Sequence, residues 1–198
     1  MIRTPIALVP YLVLVAVLIG GVLWQRGNEL SSGQITTGEA LIGGPFALED
    51  QTGTLRTDKD FRGKYLLIYF GYTFCPDVCP LSLGVMDDAL RKLPKDKTNA
   101  IVPVFITVDP ERDTSKVLKD YLAGFGPGWV GLTGNLTETE IVAKEYRVYF
   151  AKAPLKDGGY AVNHSSTIYL MGPDGRYIAN FDESIGPDQL AAELKKRV

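Results

Sequence analysis

The chain has 198 residues, with 21 Lys and Arg against 23 Asp and Glu, a net charge of −2, two cysteines and one histidine. That length accommodates one ordinary domain and a tail, and a near-neutral balance without a basic run removes the electrostatic case for nucleic acid. Two cysteines exclude a disulfide-rich scaffold and a four-cysteine zinc site, and one histidine excludes a two-histidine metal helix, so the soft or borderline ligands reduce to Cys75, Cys79 and His164.

Residues 4–25 carry no charge, and 6–24 are nearly all aliphatic. Crossing about 30 Å of hydrocarbon at ~1.5 Å per residue takes ~20 such residues, more than the ~7–15 of a cleavable signal. Residues 1–26 therefore predict a single transmembrane helix, kinked near Pro10 and closed by Trp24 at the interface. A removed signal sequence is the competing reading. The short amino-terminal flank translocates nothing large, so the soluble part is expected outside: in a bacterium, a single-pass inner-membrane protein with a periplasmic domain. Only Arg3 and Arg26 of the basic side chains precede residue 27, so the remainder is mildly acidic and no polybasic lipid binder. Residues 27–43, polar and rich in Gly, Ser and Thr, read as a linker, and 44–198 as the domain.

Within the domain, Pro45–Leu48 and Thr54–Thr57 predict a short hairpin around Asp50-Gln51-Thr52-Gly53. Tyr65–Gly71 (YLLIYFG) is a continuous apolar run, the mark of a strand buried on both faces. Leu81, Val85, Ala89 and Leu93 recur every four residues, predicting a helix over Pro80–Leu93. Ile101–Val108 predicts a second buried strand, Thr114–Phe125 a helix capped by Asp113, and Trp129–Leu132 a short strand. Thr137 and Glu140 have the spacing of a capping box for a helix to about Tyr146. Thr167–Met171 and Arg176–Phe181 predict strands around the turn Pro173-Asp174-Gly175, and Pro187–Arg197 a last helix with proline in its first turn. This alternation predicts an α/β layer with a partly parallel sheet. The order β-α-β-α, then a hairpin and a helix, suits a thioredoxin-like (redoxin) fold with an N-terminal hairpin extension.

The segment Phe70-Gly71-Tyr72-Thr73-Phe74-Cys75-Pro76-Asp77-Val78-Cys79-Pro80 lies where a buried strand hands over to a helix. A helix N-terminus favours thiolate, and positions i and i+4 of a helix share a face, so Cys75 and Cys79 are expected to converge. Pro76 and Pro80 should stiffen the loop, and Asp77 reads as a solvated turn residue. His164 precedes the strand Thr167–Met171, in a loop that a thioredoxin-like fold packs against the cysteine loop, and no proline occurs between Pro154 and Pro173. Two thiolates and an imidazole suit Cu(I), and Cu(II) with a weak oxygen donor; zinc fits less well for want of a fourth protein ligand. A structural or redox disulfide, with His164 as an ordinary packed histidine, is the competing reading.

These blocks together resemble the Sco/SenC family of copper-binding assembly factors. Cys-Pro-Asp-Val-Cys-Pro at 75–80 resembles the family's copper loop, and Val108-Asp109-Pro110-Glu111-Arg112-Asp113-Thr114, Glu145-Tyr146-Arg147-Val148-Tyr149, His164 and Tyr169–Gly175 follow in order. One departure is Asn163, where many members carry an acidic residue before the histidine. The resemblance implies copper binding by Cys75, Cys79 and His164, and assembly of the dinuclear copper centre of cytochrome c oxidase subunit II. It also implies a periplasmic copper donor as partner and a membrane tether. A thiol–disulfide oxidoreductase that uses Cys75 and Cys79 as redox-active thiols on the oxidase's cysteines is the alternative. Asp109, Glu111, Arg112 and Asp113 are expected to organise the loop after a central strand.

Overall fold

The computed structural model describes residues 42–198. The anchor expected over 1–26 and nearly all of the linker lie outside these residues. Among the described residues no helix is long and apolar enough to cross a membrane.

The chain builds β1 (Ala47–Asp50), β2 (Leu55–Thr57), a 3-10 turn over Asp58–Phe61, β3 (Tyr65–Gly71), α1 (Val78–Arg91), α2 (Lys95–Ala100) and β4 (Ile101–Thr107). It continues with α3 (Ser115–Leu122), β5 (Val130–Thr133), α4 (Leu136–Glu145), β6 (Phe150–Pro154), β7 (Tyr160–His164), β8 (Ile168–Met171), β9 (Tyr177–Phe181) and α5 (Pro187–Arg197). Seven strands form one mixed sheet in the order β2-β1-β5-β4-β3-β8-β9, and β6 and β7 form a separate ribbon. The result is an α/β domain of the thioredoxin-like kind. The N-terminal hairpin does more than extend it: β1 pairs antiparallel with β5 and lengthens the main sheet.

β3 sits centrally, parallel to β4 through seven paired residues and antiparallel to β8. Six of its seven residues are buried, which is why its sequence shows no polar alternation: a strand covered on both faces has no solvent side. Its end delivers the chain to α1. At that end a Cβ on Gly71 would lie 2.8 Å from Cys79 Sγ and 2.9 Å from the Phe105 ring. Only glycine lets the strand pass this close to the sulfur.

Three helix starts differ from expectation, and the first is α1, which opens at Val78 and so takes Pro80 into its first turn. Thr114, not Asp113, caps α3, its Oγ1 accepting from the Val117 N–H; Asp113 is turned inward and fully buried. α4 opens at Asn135, whose Oδ1 accepts from the Glu138 N–H at 2.9 Å while the Glu138 carboxylate accepts from the Asn135 N–H at 2.8 Å. Asn is the stronger cap, and the box formed two residues before the Thr137–Glu140 spacing. The β6–β7 ribbon was not anticipated. Its register, Phe150↔His164 through Pro154↔Tyr160, makes His164 the last residue of a strand rather than part of a loop.

Candidate metal centre

α1 begins at Val78, so Cys79 lies in its first turn and Cys75 in the loop before it. The sulfurs therefore do not converge by helical periodicity. Asp77 stands at the N-cap with φ −142° and ψ −76° and makes no side-chain cap bond. Instead the Cys79 N–H donates to Cys75 Sγ at 3.5 Å, so the cysteine sulfur occupies the place of a capping oxygen. Cys75 is itself turned back by its N–H donating to the Tyr72 carbonyl at 3.2 Å. Asp77 is exposed, as a solvated turn residue should be.

His164 reaches the same point from the β6–β7 ribbon. One ligand atom each from Cys75, Cys79 and His164 lies within 4.8 Å of the others. His164 Nδ1 stands 3.0 Å from the Ser165 carbonyl. A carbonyl only accepts, so Nδ1 carries the proton and the Nε2 lone pair is left for Cys79 Sγ, 3.4 Å away. Tyr69 and Tyr72 hold the imidazole edge-on, with centroids 6.1 and 5.8 Å from it.

The electrostatics suit an uncharged resting state. Burial lowers the His164 imidazole below its ordinary value, partly opposed by the Ser165 bond. Burial drives the Cys79 thiol well upward, against a backbone hydrogen bond. The resting contact is thus a thiol donating to a neutral imidazole. A soft cation can take the place of that proton and meet three donors at once. Bonds of about 2.3 Å to sulfur and 2.0 Å to nitrogen set donors of a three-coordinate site about 4 Å apart, and the three donors here all lie within 4.8 Å of one another. Among the described residues this is the one cluster of His, Cys, Asp and Glu close enough to hold a metal ion.

The segment Asp109–Asp113 ties the cysteine loop to the ribbon. Asp113 accepts from the Thr73 N–H at 2.9 Å, from Thr73 Oγ1 at 2.5 Å and from Thr107 Oγ1 at 2.6 Å; burial still raises its carboxyl above the ordinary value. Arg112 pairs with the buried Asp109 carboxylate and donates to the Tyr160 carbonyl at 3.0 Å. Its guanidinium stacks 3.9 Å from the Tyr160 ring and 4.8 Å from the Phe74 ring. The Tyr160 hydroxyl donates to Asp109 at 2.8 Å, and Lys152 of β6 pairs with Glu111 at 2.6 Å. These four residues organise the loop, as expected; Asp109 and Arg112 also dock the strand that carries His164, and Glu111 holds its partner strand β6.

Sequence reasoning missed Tyr69, Tyr72 and Tyr160. A signal existed for the first: a tyrosine inside a strand buried on both faces must carry its hydroxyl into the interior.

The SCO1/SenC family model matches residues 34–198. The human mitochondrial SCO1 homolog is 43% identical over 159 residues, which are 79% of this chain and 53% of that protein, so the chain spans about half the length of that relative. A structure described as Bradyrhizobium japonicum ScoI with copper bound is 48% identical, covers 79% of this chain and 99% of its own, and superposes with a TM-score of 0.73. A structure of BsSco, described as having a disulfide switch and as a member of the Sco family of cytochrome c oxidase assembly proteins, is 29% identical, with a TM-score of 0.64 over 79% of this chain and 92% of its own. With its cysteine loop, its histidine ribbon and this match over most of its length, the chain belongs to the SCO1/SenC family.

Proposed function

We propose that the protein is a copper carrier for the assembly of cytochrome c oxidase, binding one copper ion through Cys75, Cys79 and His164 and passing it to the dinuclear copper centre of subunit II. The observation that carries this reading is the convergence of these three donors within 4.8 Å, in a family whose solved members include copper-bound forms. Two thiolates and one imidazole form a soft, low-coordinate set that selects Cu(I). Cys75, 8% exposed, is the more accessible sulfur, while Cys79 is sealed off. Incoming thiolates of the acceptor would therefore displace Cys75 first. The uncharged run over residues 4–25 supports a membrane tether with the domain on the periplasmic side of a bacterial inner membrane, where tethering raises the effective concentration of a membrane-bound acceptor. A periplasmic donor would supply the copper.

The test is anaerobic copper titration of the full chain. One copper per chain and clearly weaker uptake by His164→Ala are expected; equal affinity would remove His164 from the site.

A second reading rests on the two free, adjacent thiols. As a dithiol they can reduce an acceptor's disulfide, two thiols giving up two protons and two electrons as they join. The same sulfurs cannot be joined and bind metal at once, so oxidation would gate loading. Rapid stoichiometric reduction of an oxidised subunit II fragment, without metal transfer, would favour this reading over the first.

A further inference from the structure

Tyr69 is fixed at the centre of the main sheet, its backbone in register with Phe105 on β4 and Ile168 on β8. Its side chain is fully buried, yet its hydroxyl makes no hydrogen bond. A phenol in that position costs stability that phenylalanine would not. The groups around the oxygen are the Cys79 sulfur and the Ser82 and Ser166 hydroxyls. The ring edge and the sulfur face each other across the bare backbone of Gly71: a Cβ there would lie 2.8 Å from Cys79 Sγ and 3.0 Å from Tyr69 Cε1. The other edge neighbour of the ring is the His164 imidazole. The unmet donor thus stands against two of the three proposed ligands.

We propose that the Tyr69 hydroxyl is a positioning donor for the Cys79 sulfur: unmet while Cys79 is a thiol, and engaged once a soft cation replaces the thiol proton. This rests on the copper reading of the site. A neutral thiol is a poor acceptor, whereas a thiolate is a strong one. The free energy stored in the unmet hydroxyl of the empty protein is returned on loading, which makes metal binding more favourable without a fourth ligand.

The test uses the full chain as wild type, Tyr69→Phe and Ser82→Ala, each unloaded and loaded with Cu(II). The measurements are the unloaded thermal midpoint, copper affinity by chelator competition, and the sulfur-to-copper charge-transfer band. Unloaded Tyr69→Phe should melt no lower than wild type, because no hydrogen bond is lost. Its copper affinity should fall about 10- to 100-fold, the usual effect of removing a partner of a metal ligand. Its band should move to lower energy, since a thiolate without its donor holds its electrons less tightly, while Ser82→Ala leaves the band in place. Tyr69→Phe with unchanged affinity and an unmoved band overturns the inference alone. So does a band that Ser82→Ala shifts as far, which would assign the donor to Ser82. A wild-type chain that takes up no copper overturns the metal reading, and this inference with it.

Discussion

The β1–β2 turn and the cysteine–histidine corner both bury polar groups, and they treat them in opposite ways. In the turn, Asp50 is almost fully buried and every demand on it is met: it accepts from the Thr52 N–H and hydroxyl, the Thr54 N–H and the Arg56 guanidinium. At the corner, the Tyr69 hydroxyl, Arg112 Nη2 and the Tyr121 hydroxyl have no partner, and they are the buried side-chain polar atoms so left among the described residues. Arg112 stacks on Phe74 of the cysteine loop, Tyr69 edges His164, and Tyr121 shares a cleft with Thr73 and Phe74. A fold that satisfies Asp50 completely is not short of means to satisfy these three. Unmet buried groups in a fold that elsewhere pairs them call for an explanation, and these three lie beside the cysteine loop or His164.

Breaking either region should separate the two. The largest effect belongs to the ligands: Cys79→Ser should abolish stoichiometric copper uptake, read by anaerobic titration, while Asp50→Ala leaves uptake unchanged. Next is Arg112→Ala, which strands the fully buried Asp109 carboxylate and undocks the ribbon. Stranding a buried charge costs about 3 kcal/mol or more, read by denaturant unfolding, and the loosened His164 should also weaken copper binding. Retained stability in this variant would show that the Tyr160 hydroxyl alone suffices for Asp109.

Asp50 gives an effect of stability and pH. Burial alone would raise its carboxyl, but the hydrogen bonds from Thr52, Arg56 and the Thr52 and Thr54 amides hold it at about 2, against an unfolded value of 3.8. A depressed folded value gives stabilisation that is present above 3.8 and lost as pH falls through about 2, worth about 2 kcal/mol in all. Asp50→Asn should therefore be less stable at neutral pH and show a flatter acid profile between those limits; an unchanged profile would show that the turn is not a source of acid sensitivity. The smallest effect is Tyr121→Phe, expected to leave the melting midpoint unchanged or slightly raised, because an unpartnered hydroxyl is removed. A clear drop would mean that the hydroxyl has a partner in solution.

What the sequence discloses follows the same division. β3 and α5 have the bounds that their residues predict, because a continuous apolar run and a proline in the first helical turn are local signals. The capping of α3 and α4 shifts by a residue or two, since Thr114 and Asn135 compete with Asp113 and Thr137 for the same role and only the final geometry chooses. The β6–β7 ribbon is hidden for a different reason. Its strands are half-exposed and lack an apolar rhythm, and what holds it is the distant pair Asp109 and Arg112. Cys75, Cys79 and His164 are legible through their scarcity and their places before a helix and a strand. The groups that orient them are not, because Tyr69, Tyr72 and Tyr160 are drawn together by the fold across up to 91 positions of chain.

The most direct test of the central claim is X-ray absorption at the copper edge of the Cu(I)-loaded full chain, with His164→Ala alongside. Two sulfur neighbours and one nitrogen neighbour are expected in the wild type, and loss of the nitrogen in the variant. A first shell without nitrogen, or one that His164→Ala leaves unchanged, would contradict it.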